Sequence, residues 1–247
     1  MLLNCDLGES FGSWRMGMDA EVMPHIDLAN VACGFHAGDP VTMNHTIALA
    51  REHDVRIGAH PAYPDLVGFG RRSMNLSAEE LRASLLYQIA ALDGMAASAG
   101  LSIDYVKPHG ALYNDMMADA TVRDTVMATV ASYHRPLKLM LLATAAQADH
   151  REAASRHTLD LLFEAFADRC YDDNGQLLSR RRPGAVHGRA RMLEQVAGLL
   201  QDGCVKTDSG RELSLQADTL CVHGDNPEGI AAIREIRALV DRRLRAC

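Results

Sequence analysis

Four histidines stand where reactive side chains would be placed. His36, His60, His109 and His223 each follow a short apolar run by no more than four residues, and each has a glycine or proline nearby. An imidazole titrates near neutral pH and so suits proton transfer. The same rings, combined with a carboxylate such as Asp6, offer the mixed nitrogen and oxygen donors that divalent transition metals prefer. No HxH or HExxH spacing occurs, so local sequence does not say whether a metal is bound. Lys107 lies two residues before His109, on the same face of an extended strand, where an ammonium could hold a substrate carboxylate or stabilise an oxyanion.

The other histidines read differently. His45, His53, His134, His150 and His157 fall in helical or connecting stretches as surface or packing residues, and His25 reads as a turn residue. The stretch 58–72, GAHPAYPDLVGFGRR, is too rich in glycine and proline for a regular element and too apolar for a linker. It reads as a shaped loop in which Arg71 and Arg72 could make bidentate anion contacts. The run Arg180–Arg182 reads as a solvated face. GLLQDGCVKT (198–207) misses the GxxxxGK[ST] spacing of a phosphate loop, and no catalytic-serine or CxxC motif is present.

These groups need a scaffold that gathers them. Apolar runs at 26–32, 55–59, 103–106, 137–142, 159–163 and 219–222, one opening the chain and a weak one at 185–186 alternate with helical patterns. In 77–99, Leu81, Leu85, Ile89, Leu92 and Met95 recur at helical spacing behind a Ser77–Glu80 capping box, with Gly100 as the stop. Asp39-Pro40 and Asn226-Pro227 each pair a capping side chain with proline at the first helical position. Strand then helix, repeated about seven times, means parallel strands with crossover helices. NCDLGESFG lacks the glycine pattern of a dinucleotide-binding open sheet. The polar clusters fall at strand C-terminal ends, which a barrel gathers into one mouth. The expectation is a single domain over 1–247, an irregular (β/α) barrel of TIM-like type.

Composition sets the outer limits. With 48% apolar and 23% charged residues the chain is an ordinary globular protein of one sizeable core. A net charge of −7 argues against general nucleic-acid binding, and no apolar run reaches membrane-spanning length. The N-terminus carries no basic signal-peptide region, and six cysteines spread without a CxxC pair read as reduced thiols, so a cytoplasmic location is expected. Assembly into a homo-oligomer stays open.

Six segments together resemble the LamB/YcsF family: NCDLGESFG (4–12), ANVACGFHAGDP (29–40), IGAHPAYPDLVGFGRR (57–72), VKPHGALYN (106–114), EAFADRCY (164–171) and CVHGDNPEG (221–229). The family usually opens with Asp-Leu-Asn, where this chain has Leu2-Leu3-Asn4. The resemblance implies a barrel of the glycoside hydrolase/deacetylase type and a hydrolase that opens the lactam of 5-oxoproline to glutamate. It also implies ATP as co-substrate, with Mg2+, and partner subunits B and C. On that reading Asp6, His36, His60, Lys107 and His109 are the catalytic candidates. Asn4, Glu9, Asn30, Arg71, Arg72, Glu164, Arg169, His223 and Asp225 are the substrate-binding ones. A stand-alone metal-dependent deacetylase or amidohydrolase, or a non-catalytic lactam-binding subunit, would use the same residues.

Overall fold

The computed structural model describes residues 1–223 and 227–246. Seven parallel strands close into a barrel: β1 (Leu2–Leu7), β2 (Leu28–Ala32), β3 (Arg56–His60), β4 (Ile103–Val106), β5 (Lys138–Leu142), β6 (Leu161–Phe166) and β9 (Thr219–His223). β9 pairs with both β6 and β1, which closes the ring. Between them run α1 (Asp19–Val22), α2 (Pro40–Glu52), α3 (Ala78–Ser98), α4 (Gly110–Ala118), α5 (Ala120–Ala131), α6 (Gln147–Ser155) and α7 (Arg189–Asp202), and α8 (Pro227–Ala246) ends the chain. The expected barrel is therefore the observed one.

Local signals set the helix limits as read. Ser77 and Glu80 form a reciprocal capping box on α3. Asp39 caps α2 by accepting from Val41 N and Thr42 N, with Pro40 at the first helical position. Asn226, the matching residue before α8, lies outside the described residues. The weak run 185–186 is not a strand: Val186 makes only an isolated bridge to Arg169. A hairpin of β7 (Cys204–Lys206) and β8 (Glu212–Ser214) sits outside the barrel instead. Three-residue strands are too short to print an alternation in sequence.

Alternation divides each barrel strand between two cores. Leu3, Cys5, Leu7, Ile57, Ala59, Leu139 and Leu141 join the main core, while Leu28, Tyr105 and Met140, flanked by Leu2 and Leu162, form a separate apolar cluster. That cluster plugs the N-terminal end of the barrel interior. The next inward positions are polar: Asn4, Asn30, Glu164 and Thr219 are all fully buried. Tyr105 joins the layers, its ring in the plug and its hydroxyl donating to Asn30 Oδ1 at 2.6 Å. The ring has room because residue 58 is glycine; a Cβ there would lie 2.2 Å from it. Burying these polar groups is tolerable only because they are hydrogen-bonded, and their bonds lead upward to the mouth.

Candidate active site at the barrel mouth

A charged column stands on the apolar plug. Lys107, just past β4, donates from Nζ to Asp6 Oδ1 at 2.9 Å and lies 3.0 Å from Glu164 Oε2 and 3.1 Å from Cys221 Sγ. Asn30 Nδ2 donates to Asp6 Oδ1 at 2.7 Å and to Asn4 Oδ1 at 2.8 Å, and Asn4 Nδ2 donates to Thr219 Oγ1 at 3.0 Å. Burial opposes both charges. Even so, Asp6, Cys221 and Glu164 hold the Lys107 ammonium well above the usual lysine range. Lys107 and His60 likewise hold the Asp6 carboxyl well below the usual carboxylate range. Both stay ionised, and removing either partner would strand a buried charge.

Above the column three imidazoles converge on Glu9. His60 Nδ1 donates to Lys107 O at 2.6 Å, and His109 Nε2 donates to Phe69 O at 2.9 Å. Their remaining nitrogens, His60 Nε2 and His109 Nδ1, face each other at 3.0 Å. Glu9 Oε1 is 3.1 Å from His36 Nε2 and 3.4 Å from His109 Nδ1. The His36 and His109 rings stack with centroids 3.7 Å apart. Burial, reinforced by the neighbouring rings, pushes both of these imidazoles well below the usual histidine range.

Two loops position this cluster. Gly8 N and Thr46 Oγ1 both donate to Asp19 Oδ2, which fixes the turn leading into Glu9. The loop after β3 lies directly against the start of α4, with Ala111 N donating to Gly70 O at 2.8 Å. Side chains at Gly70 or Gly110 would forbid that approach: a Cβ on Gly70 would meet His36 Cβ at 2.8 Å, and one on Gly110 would meet Gly70 O at 2.5 Å. Both glycines have positive φ.

On the opposite wall, His223 Nδ1 lies 2.8 Å and 3.1 Å from the two oxygens of the fully buried Asp168, and its ring stacks on Phe166. Between the walls is a cavity of about 550 Å³, lined among others by Asp6, His60, Lys107, His109, His223 and the arginines 71, 169, 180 and 181. Asp6, His60, Lys107, His109, Arg71, Arg169 and His223 thus meet in one cavity, as the strand-end argument expected. His36 and Glu9 are buried behind them; Asn4, Asn30 and Glu164 lie beneath, as supports of the column. Arg72 goes elsewhere: its side chain is 65% exposed and paired with Asp65, outside the cavity lining. Asp225 lies outside the described residues.

Arg180 and Arg181 depart from the solvated-face reading and line the cavity, while Arg182 pairs with Asp208 on the surface. The Asp168–His223 pair joins residues 55 apart in sequence, so spacing alone could not reveal it. Of the remaining histidines, His45 and His53 are exposed, His157 pairs with Asp124, and His187 packs against Gln195.

The profile of the LamB/YcsF family matches residues 1–246. The chain belongs to that family. A Pseudomonas putida protein named as 5-oxoprolinase A subunit 2 is 59% identical over 242 residues, covering 98% of this chain and 94% of that protein. A Chromohalobacter salexigens 5-oxoprolinase A subunit is 54% identical, with 97% and 96% covered. The crystal structure of a lactam utilization protein from Thermus thermophilus superposes with a TM-score of 0.89 at 37% identity, covering 98% of this chain and 96% of that one. Among the described residues of this LamB/YcsF barrel, no helix is long and apolar enough to cross a membrane.

Two groups in the barrel have the donor chemistry for a cation: Glu9, His36, His60 and His109, and separately Asp6, Cys221 and His223. The second already faces one, since the Lys107 ammonium lies within 3.1 Å of both Asp6 and Cys221. The first is built of three imidazoles and one carboxylate.

Proposed function

We propose that this chain is the barrel subunit of an ATP-dependent 5-oxoprolinase. It binds 5-oxo-L-proline at the mouth and, with partner subunits B and C, opens the lactam to L-glutamate as ATP is cleaved. The observation that carries this is the cavity, where arginines face a fixed set of acid and base groups, in a chain 59% identical to a protein of that name. A five-membered lactam is a poor electrophile until its carbonyl oxygen is activated, plausibly by phosphoryl transfer. Ring opening then needs an anchored substrate, a base for water and a proton for the departing nitrogen.

The residues divide these tasks. Arg71 and Arg169 present guanidinium groups suited to the substrate carboxylate. Asp168 holds His223 by Nδ1, so the Nε2 lone pair is the one available to take a proton from water and return it to the ring nitrogen. Asp6 is kept ionised by Lys107 and is oriented by Asn30, which places a fixed negative charge beside the developing cationic centre. No strand of this chain runs into a GxxxxGK[ST] loop, so nucleotide cleavage is assigned to the assembled, cytoplasmic enzyme, with Mg2+ accompanying the nucleotide.

The test is reconstitution. The purified chain alone is expected to show no 5-oxoproline-dependent ATP cleavage, and addition of the partner subunits should release glutamate and ADP together. Robust turnover by the chain alone would refute the assignment to an assembly, and no glutamate from the complete assembly would refute the substrate.

A further inference from the structure

We propose that Glu9, His36, His60 and His109 hold a divalent first-row transition-metal ion, with zinc as the reference. The four donor atoms lie within 4.8 Å of one another and all four residues are buried.

Hydrogen-bond accounting leads there first. A backbone carbonyl can only accept, so His60 Nδ1, at 2.6 Å from Lys107 O, carries a hydrogen, and so does His109 Nε2, at 2.9 Å from Phe69 O. In the neutral rings His60 Nε2 and His109 Nδ1 are then both lone pairs, aimed at each other across 3.0 Å. Such a pair needs a cation between or beside it. A proton would make one ring an imidazolium, which burial disfavours at His109. A metal ion satisfies both rings as they stand, and ligand histidines ordinarily donate their second N–H to a backbone carbonyl or carboxylate.

Distances agree. Metal–nitrogen bonds of about 2.0–2.1 Å in a tetrahedron put neighbouring donors roughly 3.3 Å apart. Here the separations are 3.0 Å for His60–His109, 3.1 Å for Glu9–His36 and 3.4 Å for Glu9–His109. Donor chemistry points the same way. Imidazole nitrogens joined by a carboxylate oxygen are the ligand types of catalytic zinc centres. Without a thiolate, that mixture also suits cobalt, nickel and manganese.

The site stands on ligand geometry and goes beyond the lactam reading. The full chain is stripped by chelator dialysis, reloaded with Zn2+ or Co2+, desalted and analysed for metal. One retained equivalent per chain is expected, with a raised melting temperature and, for Co2+, the intense visible bands of a low-coordinate site. His60→Ala and His109→Ala should weaken binding by more than about 100-fold, beyond the cost of losing an outer hydrogen-bond partner. His45→Ala, on the exposed face of α2, should not. Glu9→Gln keeps the shape of the pocket and decides the matter if the alanine variants fail to fold. Metal that washes out on desalting, or that binds Glu9→Gln as tightly as the parent, overturns the site. The readout is metal content, so failure here leaves the lactam reading intact. A metal-loaded assembly that releases no glutamate would overturn that reading alone.

Discussion

The mouth of this barrel holds histidines in two arrangements that differ only in what stands behind each ring. Behind His60 and His109 are backbone carbonyls, which fix the hydrogens on the far nitrogens and turn two lone pairs toward one point. Behind His223 is a carboxylate, Asp168, and its ring faces the cavity without an opposing imidazole. A carbonyl-backed pair is a cation trap. A carboxylate-backed single ring is a base, because the imidazolium that forms on taking a proton is stabilised by the charge behind it. The residue type is identical, and the partner atom decides the chemistry.

That contrast is broken most severely at His109. Replacement with alanine is expected to lower glutamate formation by the assembled enzyme about 10²–10⁴-fold, the range of a lost acid–base group. The melting temperature should be nearly unchanged once metal content is matched. A packing histidine would show the reverse: a lower melting temperature with near-normal turnover of the folded fraction. A stable variant retaining more than about a tenth of parental turnover lies outside the acid–base range and removes His109 from the reacting groups.

The second wall is sharpened by Asp168→Asn. Asparagine keeps the shape but can present its amide N–H to His223 Nδ1, which moves the ring hydrogen to Nε2 and blocks the lone pair that faces the cavity. Turnover should fall about 10²-fold, the lower end for a general base. Bound metal should stay at one equivalent, since Asp168 is not among the four donors. Loss of metal from this variant would merge the two arrangements into one and defeat the comparison.

How much of this was legible beforehand follows from the range of each interaction. The barrel was readable because β1–β6 and β9 are apolar runs of four to six residues with helical patterns between them. The mouth was readable because Asp6, His60, Lys107 and His109 lie at or just past strand ends. The tautomers were not, since they depend on the carbonyls of Lys107 and Phe69, and a carbonyl leaves no trace in side-chain identity. Phe69 itself sits at φ 54°, a conformation that its residue type does not announce. Asp168 was visible as a polar residue after β6, but its partner arrives only when β9 pairs with β6. Arg180 and Arg181 looked like surface because charge runs usually are, and only the irregular path from 167 to 188 turns them inward.

Two adjacent arginines give the smallest and cleanest test of the cavity boundary. Arg71 lines the cavity and lies over the Phe69 ring at 4.8 Å, whereas Arg72 turns outward to Asp65. If Arg71 binds the substrate carboxylate, its loss removes a charge-assisted contact of about 1.5–3 kcal/mol. KM for 5-oxoproline should then rise about tenfold or more, with kcat held. Added salt should narrow the difference from the parent, because a partly exposed ion contact is screened within about a Debye length. Arg72→Ala should leave KM within about twofold, because an exposed ion pair outside the cavity contributes little. Its effect belongs to the 58–72 loop instead, as a small loss of thermal stability from freeing Asp65. Equal KM changes in the two variants would mean that the loop moves as a unit on binding. The cavity edge would then have to be redrawn to include Arg72.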